Sequence, residues 1–576
     1  MPIRALSDGG GPVPRTGLVA AFPPLTLLVM LGPVAAGLAG TLLPAFGYLP
    51  AAGLSTLSLD PFRSLLDWPG LGAATRLSVS TGLLATALAL AAVTLLFAGW
   101  SGTRAFRVLE RLLSPLLSVP HAAMAFGLAF LIAPSGWIAR ALSPWATGWE
   151  RPPDLLIVHD QLGLAMVAGL VAKEMPFLML MGLAAMGQAD ATRRMRVAQA
   201  AGYGRVAGWL KSVFPAIYAQ IRLPVYVVLA YSMSVVDVAL ILGPSTPPPL
   251  SVQVVRWMAD PDLAMRLTAS AAAMLQLALV IAALILWRAG EWAVARLGQA
   301  WIARGGRGRA ADQLLRPLGV VAGAFSALAV LGGIACLAVW SFAGFWGFPD
   351  PLPNGFDMRS WARHGPEAWQ ATGATALIAG IATALALILV IGCLEAEYRR
   401  DRALTQAGLW LVYLPLVVPQ IAFLPGLQTL FLTFGLTAGT IPVVIAHLVF
   451  VLPYIFLSLG DPWRAWEPRT GIVARALGTS PSGVLWRVRL PMLARPILTA
   501  AAVGIAVSVG QYLPTLLAGG GRVATLTTEA VALASGGDRR AIGVYGVAQT
   551  LVAMVPFAAA LLIPALLWRN RRGMHG

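Results

Sequence analysis

The chain has 576 residues, 58% hydrophobic and only 11% charged, with 41 Lys and Arg against 24 Asp and Glu. A soluble chain of this size spends about a quarter of its residues on charge, so the composition excludes a soluble globular protein and puts most of the chain in lipid. The net charge of +17 then reads as arginine gathered in loops on one side of a membrane rather than as a nucleic-acid surface.

A bilayer is crossed by about 20 apolar residues. That length predicts twelve spans, at residues 17–44, 77–99, 113–133, 160–186, 222–243, 264–287, 318–345, 372–394, 408–433, 438–460, 495–518 and 542–568. The first follows an arm, residues 1–16, that carries Arg4 and Arg15. It is longer than a signal-peptide core of roughly 7–15 residues and predicts a retained span. Arginines cluster after every second span: Arg104, Arg107 and Arg111; Arg193, Arg194, Arg196 and Arg205 with Lys211; Arg288 to Arg316; Arg399, Arg400 and Arg402; and Arg569, Arg571 and Arg572. The positive-inside rule makes that side cytoplasmic, with both termini on it. Cys336 and Cys393 lie in apolar runs and predict packing residues, not a disulfide framework or a metal cluster.

The polar, Gly-rich and basic stretch 288–317 predicts a cytoplasmic linker between two units, residues 17–287 and 318–568, with a cytoplasmic tail at 569–576. Six spans per unit give both the same orientation, a parallel repeat about an axis along the membrane normal. Sequence matches support it. ATALAL occurs at 85–90 and 382–387, SVPHAAMAFG (118–127) matches VVPQIAFLPG (417–426), and EMPFLML (174–180) resembles VLPYIFL (451–457). The copies lie further apart at the third span than at the later loops. The first unit therefore holds an insertion, placed in the Trp- and Pro-rich stretch 134–158.

A fourth match is polar. RVAQAAGYGRVAGWLKSVFP (196–215) and IVARALGTSPSGVLWRVRLP (472–491) each follow the fourth span of their unit. Gly202 and Gly478 close alanine-rich runs, where glycine takes the left-handed position. Ser480 and Pro481 then provide an N-cap and a first-turn proline. Val206, Trp209, Leu210 and Val213 make one apolar stripe on a short helix, and Pro215 and Pro491 are expected to end the helices. Such a helix either packs on its own chain or lipid, or docks on a partner. Two copies on one side point to a symmetric partner.

These two loops resemble the cytoplasmic signature loop of permeases from binding-protein-dependent ABC importers. Matching positions are Ala198, Gly202 and Pro215 in the first copy, and Ala474, Gly478, Leu490 and Pro491 in the second. Arg196 and Ile472 replace the family's leading acidic residue. Two permease units in one polypeptide resemble the fused permeases of the iron(III)/thiamine importer group, and residues 511–537 look nearest to the Ynj-type permeases. The resemblance implies an all-α fold of type I importer permease kind and a bacterial inner-membrane location. It also implies an ABC ATPase in two copies and a periplasmic or extracellular solute-binding protein as partners, with membrane lipids around the spans.

The chain carries only two lysines, Lys173 and Lys211, neither within Gly-Lys-Ser/Thr. A P-loop needs that lysine on the phosphates, so ATP is expected on a separate subunit, and no enzyme, cofactor or metal site is predicted here. Ionisable groups at membrane depth are functional-site hypotheses. His121 and Gln420 correspond in the two units, as do Ser234 and Ser508, and Asp237 and Gln511. These residues either line a path between the halves or serve packing and capping. Lys173 and Glu174, being sequence neighbours, are expected to find separate partners. Segments 243–266 and 518–540 are equivalent outer connectors that either receive a binding protein or simply join spans. The competing reading is a twelve-helix secondary transporter coupled to an ion gradient. It accounts for the span count but not for the matched loops.

Overall fold

A computed structural model describes residues 17–50, 53–401 and 405–567. The arm at 1–16 with Arg4 and Arg15, and the tail with Arg569, Arg571 and Arg572, lie outside the described residues, as does Arg402. In hydrocarbon every backbone N–H and C=O must be paired within the chain. The Ala-, Leu- and Val-rich runs accordingly form helices: α1 (Phe22–Ala45), α2 (Leu71–Trp100), α3 (Arg104–Leu116), α4 (His121–Ile132), α5 (Leu164–Gln188), α6 (Ala191–Ala200), α7 (Arg205–Ser212), α8 (Phe214–Ser234), α9 (Asp237–Leu242), α10 (Leu250–Met258) and α11 (Leu263–Ala303). The second unit repeats the series in order: α12 (Arg309–Phe342), α13 (Arg359–Arg400), α14 (Gln406–Val417), α15 (Gln420–Thr433), α16 (Thr440–Arg464), α17 (Pro468–Ala476), α18 (Pro481–Met492), α19 (Ala494–Val509), α20 (Leu513–Ala518), α21 (Leu526–Ala532) and α22 (Arg539–Leu567).

Among the described residues ten helices are long and apolar enough to cross a membrane, and twelve spans result if each sharply bent pair counts as one. The fold is an all-α membrane protein of two parallel six-span repeats. Matching hydrogen bonds mark the repeat beyond the helix order. The Leu250 N–H donates to Ser78 Oγ at 3.0 Å, and the Leu526 N–H to Thr375 Oγ1 at 3.0 Å. Ser251 Oγ donates to the Val235 carbonyl at 3.1 Å, and Thr527 Oγ1 likewise to that of Val509.

Four spans depart from the straight rods expected; in the third, expected at 113–133, α3 stops at Leu116 and α4 starts at His121 after the extended Pro120. Residues 408–433 form α14 and α15, which meet at 81° where Val418 and Pro419 are extended. The fifth span stops at Ser234 and restarts at Asp237, and its counterpart stops at Val509 and restarts at Leu513. Residues expected to form the linker are mostly helical. α11 runs on to Ala303 and α12 begins at Arg309, leaving only a short connection.

The first helix of each unit packs on the other unit: α1 lies against α15, and α12 against α2 and α4. Small residues let the backbones touch, as they do between membrane helices generally. A Cβ added to Gly40 would stand 2.8 Å from the Gly426 carbonyl, and one on Gly127 would stand 2.6 Å from the Gly333 backbone. The two units are thereby interlocked.

Candidate translocation cavity and loop sites

The breaks surround a cavity of about 370 Å³ between the units. One wall comes from the α3–α4 junction, α5 and the α8–α9 break; the other comes from α14 to α16 and the α19–α20 break. Pro120 and Pro419 precede α4 and α15 in extended conformation. Each therefore puts the next residue, His121 or Gln420, at the head of a helix and at the cavity rim. Of the residues expected on a path, His121, Ser234, Asp237, Gln420 and Gln511 line the cavity. Ser508 does not. It lies behind the wall, 2.8 Å from Nδ1 of the buried His447, whose Nε2 is 2.8 Å from Thr515 Oγ1.

The lining is richer than the sequence pairs alone suggested. Lys173 and Glu174 both border the cavity and do take separate partners. Lys173 Nζ donates to the carbonyls of Leu116 and Leu117 at 3.1 and 2.9 Å, at the C-terminus of α3, where carbonyls run out of helical donors. Glu174 Oε1 is 3.2 Å from His121 Nε2, and the His121 ring lies 4.8 Å from that of Tyr231. Tyr413, Tyr454 and Tyr512 add hydroxyl-bearing rings, and mid-span tyrosine was the available sequence signal. Asp237, 6% exposed, forms no ion pair among the described residues. Gln511 is 7% exposed and its Oε1 has no hydrogen-bond partner. Among the described residues no cluster of three His, Cys, Asp or Glu is placed to hold a metal.

Both loops have the helix–turn–helix form expected. Gly202 and Gly478 sit at φ +81° and +86°, where other residues are strained. In the second loop Ser480 Oγ accepts the Gly483 N–H at 3.1 Å, and Pro481 follows it. In the first, Gly204 heads the helix with no side chain to cap it, and the Asp312 carboxylate accepts the N–H groups of Arg205 and Val206 instead. Burial and neighbouring Arg316 push the Arg205 guanidinium below its usual value, with Asp312 opposing them.

The apolar stripe of α7 is covered by its own chain. Trp209 is buried, 6.3 Å from the Phe97 ring and 5.9 Å from that of Phe214, with Leu210 half-buried beside it. Ala198 is buried and packs near Gly208. Pro215, expected to end α7, instead opens α8, where a first-turn proline loses no helical hydrogen bond. The second loop is held differently. Arg489, 1% exposed, donates from Nη1 to Glu395 Oε2 at 2.7 Å, with its guanidinium 3.5 Å from the Tyr398 ring centre and 4.0 Å from that of Trp466. Ala474 and Leu490 are half-buried and Pro491 is exposed. Leu477 and Trp486 stand out at 81% and 69% exposure.

Two interlocked units of like fold, a cavity between them bordered by paired helix breaks, and a matched loop on each define a membrane permease. Residues 388–569 match the family described as binding-protein-dependent transport system inner membrane component. The chain is 29% identical over 542 residues to the inner membrane ABC transporter permease protein YnjC of Escherichia coli (strain K12), covering 92% of this chain and 96% of the relative. Shorter likenesses are to the molybdenum transport system permease protein ModB of Mycobacterium bovis (33%, 19% of this chain and 47% of the relative). A further one is to a putative 2-aminoethylphosphonate transport system permease protein, PhnV, of Salmonella typhimurium (29%, 35% and 79%). No solved structure matches the chain. The chain is thus similar over nearly its whole length to an ABC transporter permease, and its helices are those of a multi-pass membrane protein with two like units in one polypeptide.

Proposed function

We propose that the chain forms the solute path of an ATP-driven importer whose ATPase is a separate subunit, bound in two copies at the loops α6–α7 and α17–α18. The observation that carries this reading is the pairing itself: one cavity between like halves, and one loop per half placed after its fourth span. The arginine-rich loops support a cytoplasmic position for that face and for both termini. The equivalent helices α10 and α21 then lie on the outer face, where a solute-binding protein delivers its load. Asp237 and Gln511 Oε1 offer acceptors, and the Gln420 amide and the hydroxyls of Tyr413, Tyr454 and Tyr512 offer donors, so the lining suits a polar solute that hydrogen-bonds in both senses.

A carrier coupled to an ion gradient is the second reading, and the unpaired Asp237 is the observation in its favour. Membrane vesicles containing the chain and its ATPase separate the two. Vanadate-sensitive uptake that survives an uncoupler supports the importer. Uptake that ignores ATP and collapses with the uncoupler overturns it, as does ATP hydrolysis by the homogeneous chain alone.

A further inference from the structure

The two loops differ in what covers them. On α7 the face carrying Gly204, Ala207 and Lys211 is roofed by the connection between the units. The Gly204 N–H donates to the Arg307 carbonyl at 2.8 Å. Ala207 lies so close to Gly308 that a Cβ there would come within 2.5 Å of its own. Lys211 Nζ donates to the carbonyls of Trp301 and Gly306 at 3.2 and 2.8 Å and stands 4.4 Å over the Trp301 ring. The corresponding face of α18 carries Ser480, Gly483 and Arg487. Ser480 and Arg487 are exposed, and a Cβ on Gly483 would meet only Thr479 and Ser480 of its own turn.

The sequence contains the cause. An N-cap needs a side-chain acceptor. Ser480 supplies one for α18, whereas its counterpart Gly204 has none. Asp312, from the second unit, fills the vacancy and brings residues 301–312 down onto α7. The exposed Arg304, Arg307 and Arg309 come with it.

We propose that the first ATPase-docking surface is composite. Residues 301–312 form its outer layer, and Asp312 is the positioning residue that holds them on α7. The second loop meets the partner with its own exposed residues. The inference rests on the reading that the loops dock an ATPase, and it specifies what that ATPase meets. One docking groove sees an arginine-bearing strap over a helix; the other sees Trp486 and Arg487 bare on α18, with Leu477 and Arg475 exposed at the end of α17. A groove with an apolar floor and an acidic rim serves both.

Hydrogen exchange on the purified full chain tests the strap without any partner. Asp312→Ala should raise exchange of the amides at 205–208 about tenfold, the scale of a lost cap, and leave 481–484 unchanged. Adding Gly204→Ser should restore it: the Asp312 Oδ2 that a Cβ there would crowd at 3.0 Å is gone, and the backbone of Gly308 and Arg309, 3.1 Å away, is released with it. Unchanged exchange in Asp312→Ala overturns the proposal. The ABC ATPase that co-purifies with the wild-type chain from its own membranes gives the second arm. Replacing Arg304, Arg307 and Arg309 with Ser should lower recovery at least threefold, as should Gly478→Val. Loss with Gly478→Val but not with the arginine variant sinks the composite surface alone. Full recovery with both sinks the docking reading beneath it.

Discussion

Glu395→Gln removes one charge from the base of the second loop, and its cost follows from what remains. Arg489 is almost fully buried, and its Nε and Nη2 already lack hydrogen-bond partners. The Tyr398, Trp466 and Trp463 rings around it are present before and after the change, so they do not compensate. Arg399, bonded to Glu395 at 2.7 Å, is 16% exposed and can turn to water, but Arg489 cannot. Breaking a buried pair by removing one partner costs about 3–5 kcal/mol. Taking about 3 kcal/mol, local opening of residues 484–493 should rise about a hundredfold. Hydrogen exchange across that segment measures the rise directly. The first unit suggests the control, since its equivalents of Glu395 and Arg489 are Ala98 and Val213, both buried. Glu395→Ala with Arg489→Met should therefore be much closer to wild type than Glu395→Gln, because exchanging a buried pair for apolar residues is often neutral. Opening in Glu395→Gln within threefold of wild type, or a double variant worse than the single, would refute this account.

Gly426→Leu should be the most damaging change among the membrane glycines, since a Cβ there meets the backbone of Gly37, Gly40 and Thr41. The expected outcome is normal insertion but loss of a monodisperse peak in gel filtration. Asp237→Asn keeps the shape of the cavity and removes its unpaired carboxylate, so solute uptake should fall at least tenfold at normal membrane abundance, and wild-type uptake would contradict the path. At Gly478 an added Cβ meets no atom within 4 Å, so the main cost of Gly478→Val is backbone strain, about 1–2 kcal/mol. ATPase stimulation should drop while the chain's thermal stability in detergent shifts by less than about 2 °C.

Span number and the parallel repeat were legible because apolar length and arginine position are one-dimensional signals. So were the positive φ of Gly202 and Gly478 and the Ser480 cap, since each follows from local chemistry. The helix breaks at Val235–Val236 and Gly510–Tyr512 were hidden, because an apolar run reads the same whether straight or interrupted. The convergence of Lys173 and Glu174 on the cavity with Asp237 depends on how α5 and α9 pack, and no spacing reveals it. Asp312 was hidden for a similar reason: it caps a helix 107 residues away, and only the missing side chain at Gly204 hints that some other residue must.

The crossing of α1 over α15 also sets a timetable. Gly37 leaves the ribosome about 390 residues before Gly426, which at 5–20 residues per second is roughly 20–80 s. For that interval the first helix waits in lipid without the neighbour it is shaped to meet. Thr41, which ends up accepting the Gly426 N–H at 3.0 Å, also donates to the Gly37 carbonyl of its own helix at 3.0 Å, so its hydroxyl need not stand idle while it waits. Biogenesis of the two units is therefore a single event with a built-in delay, and a ribosome stalled between them leaves a membrane-inserted half whose first helix has α11 beside it but lacks α15.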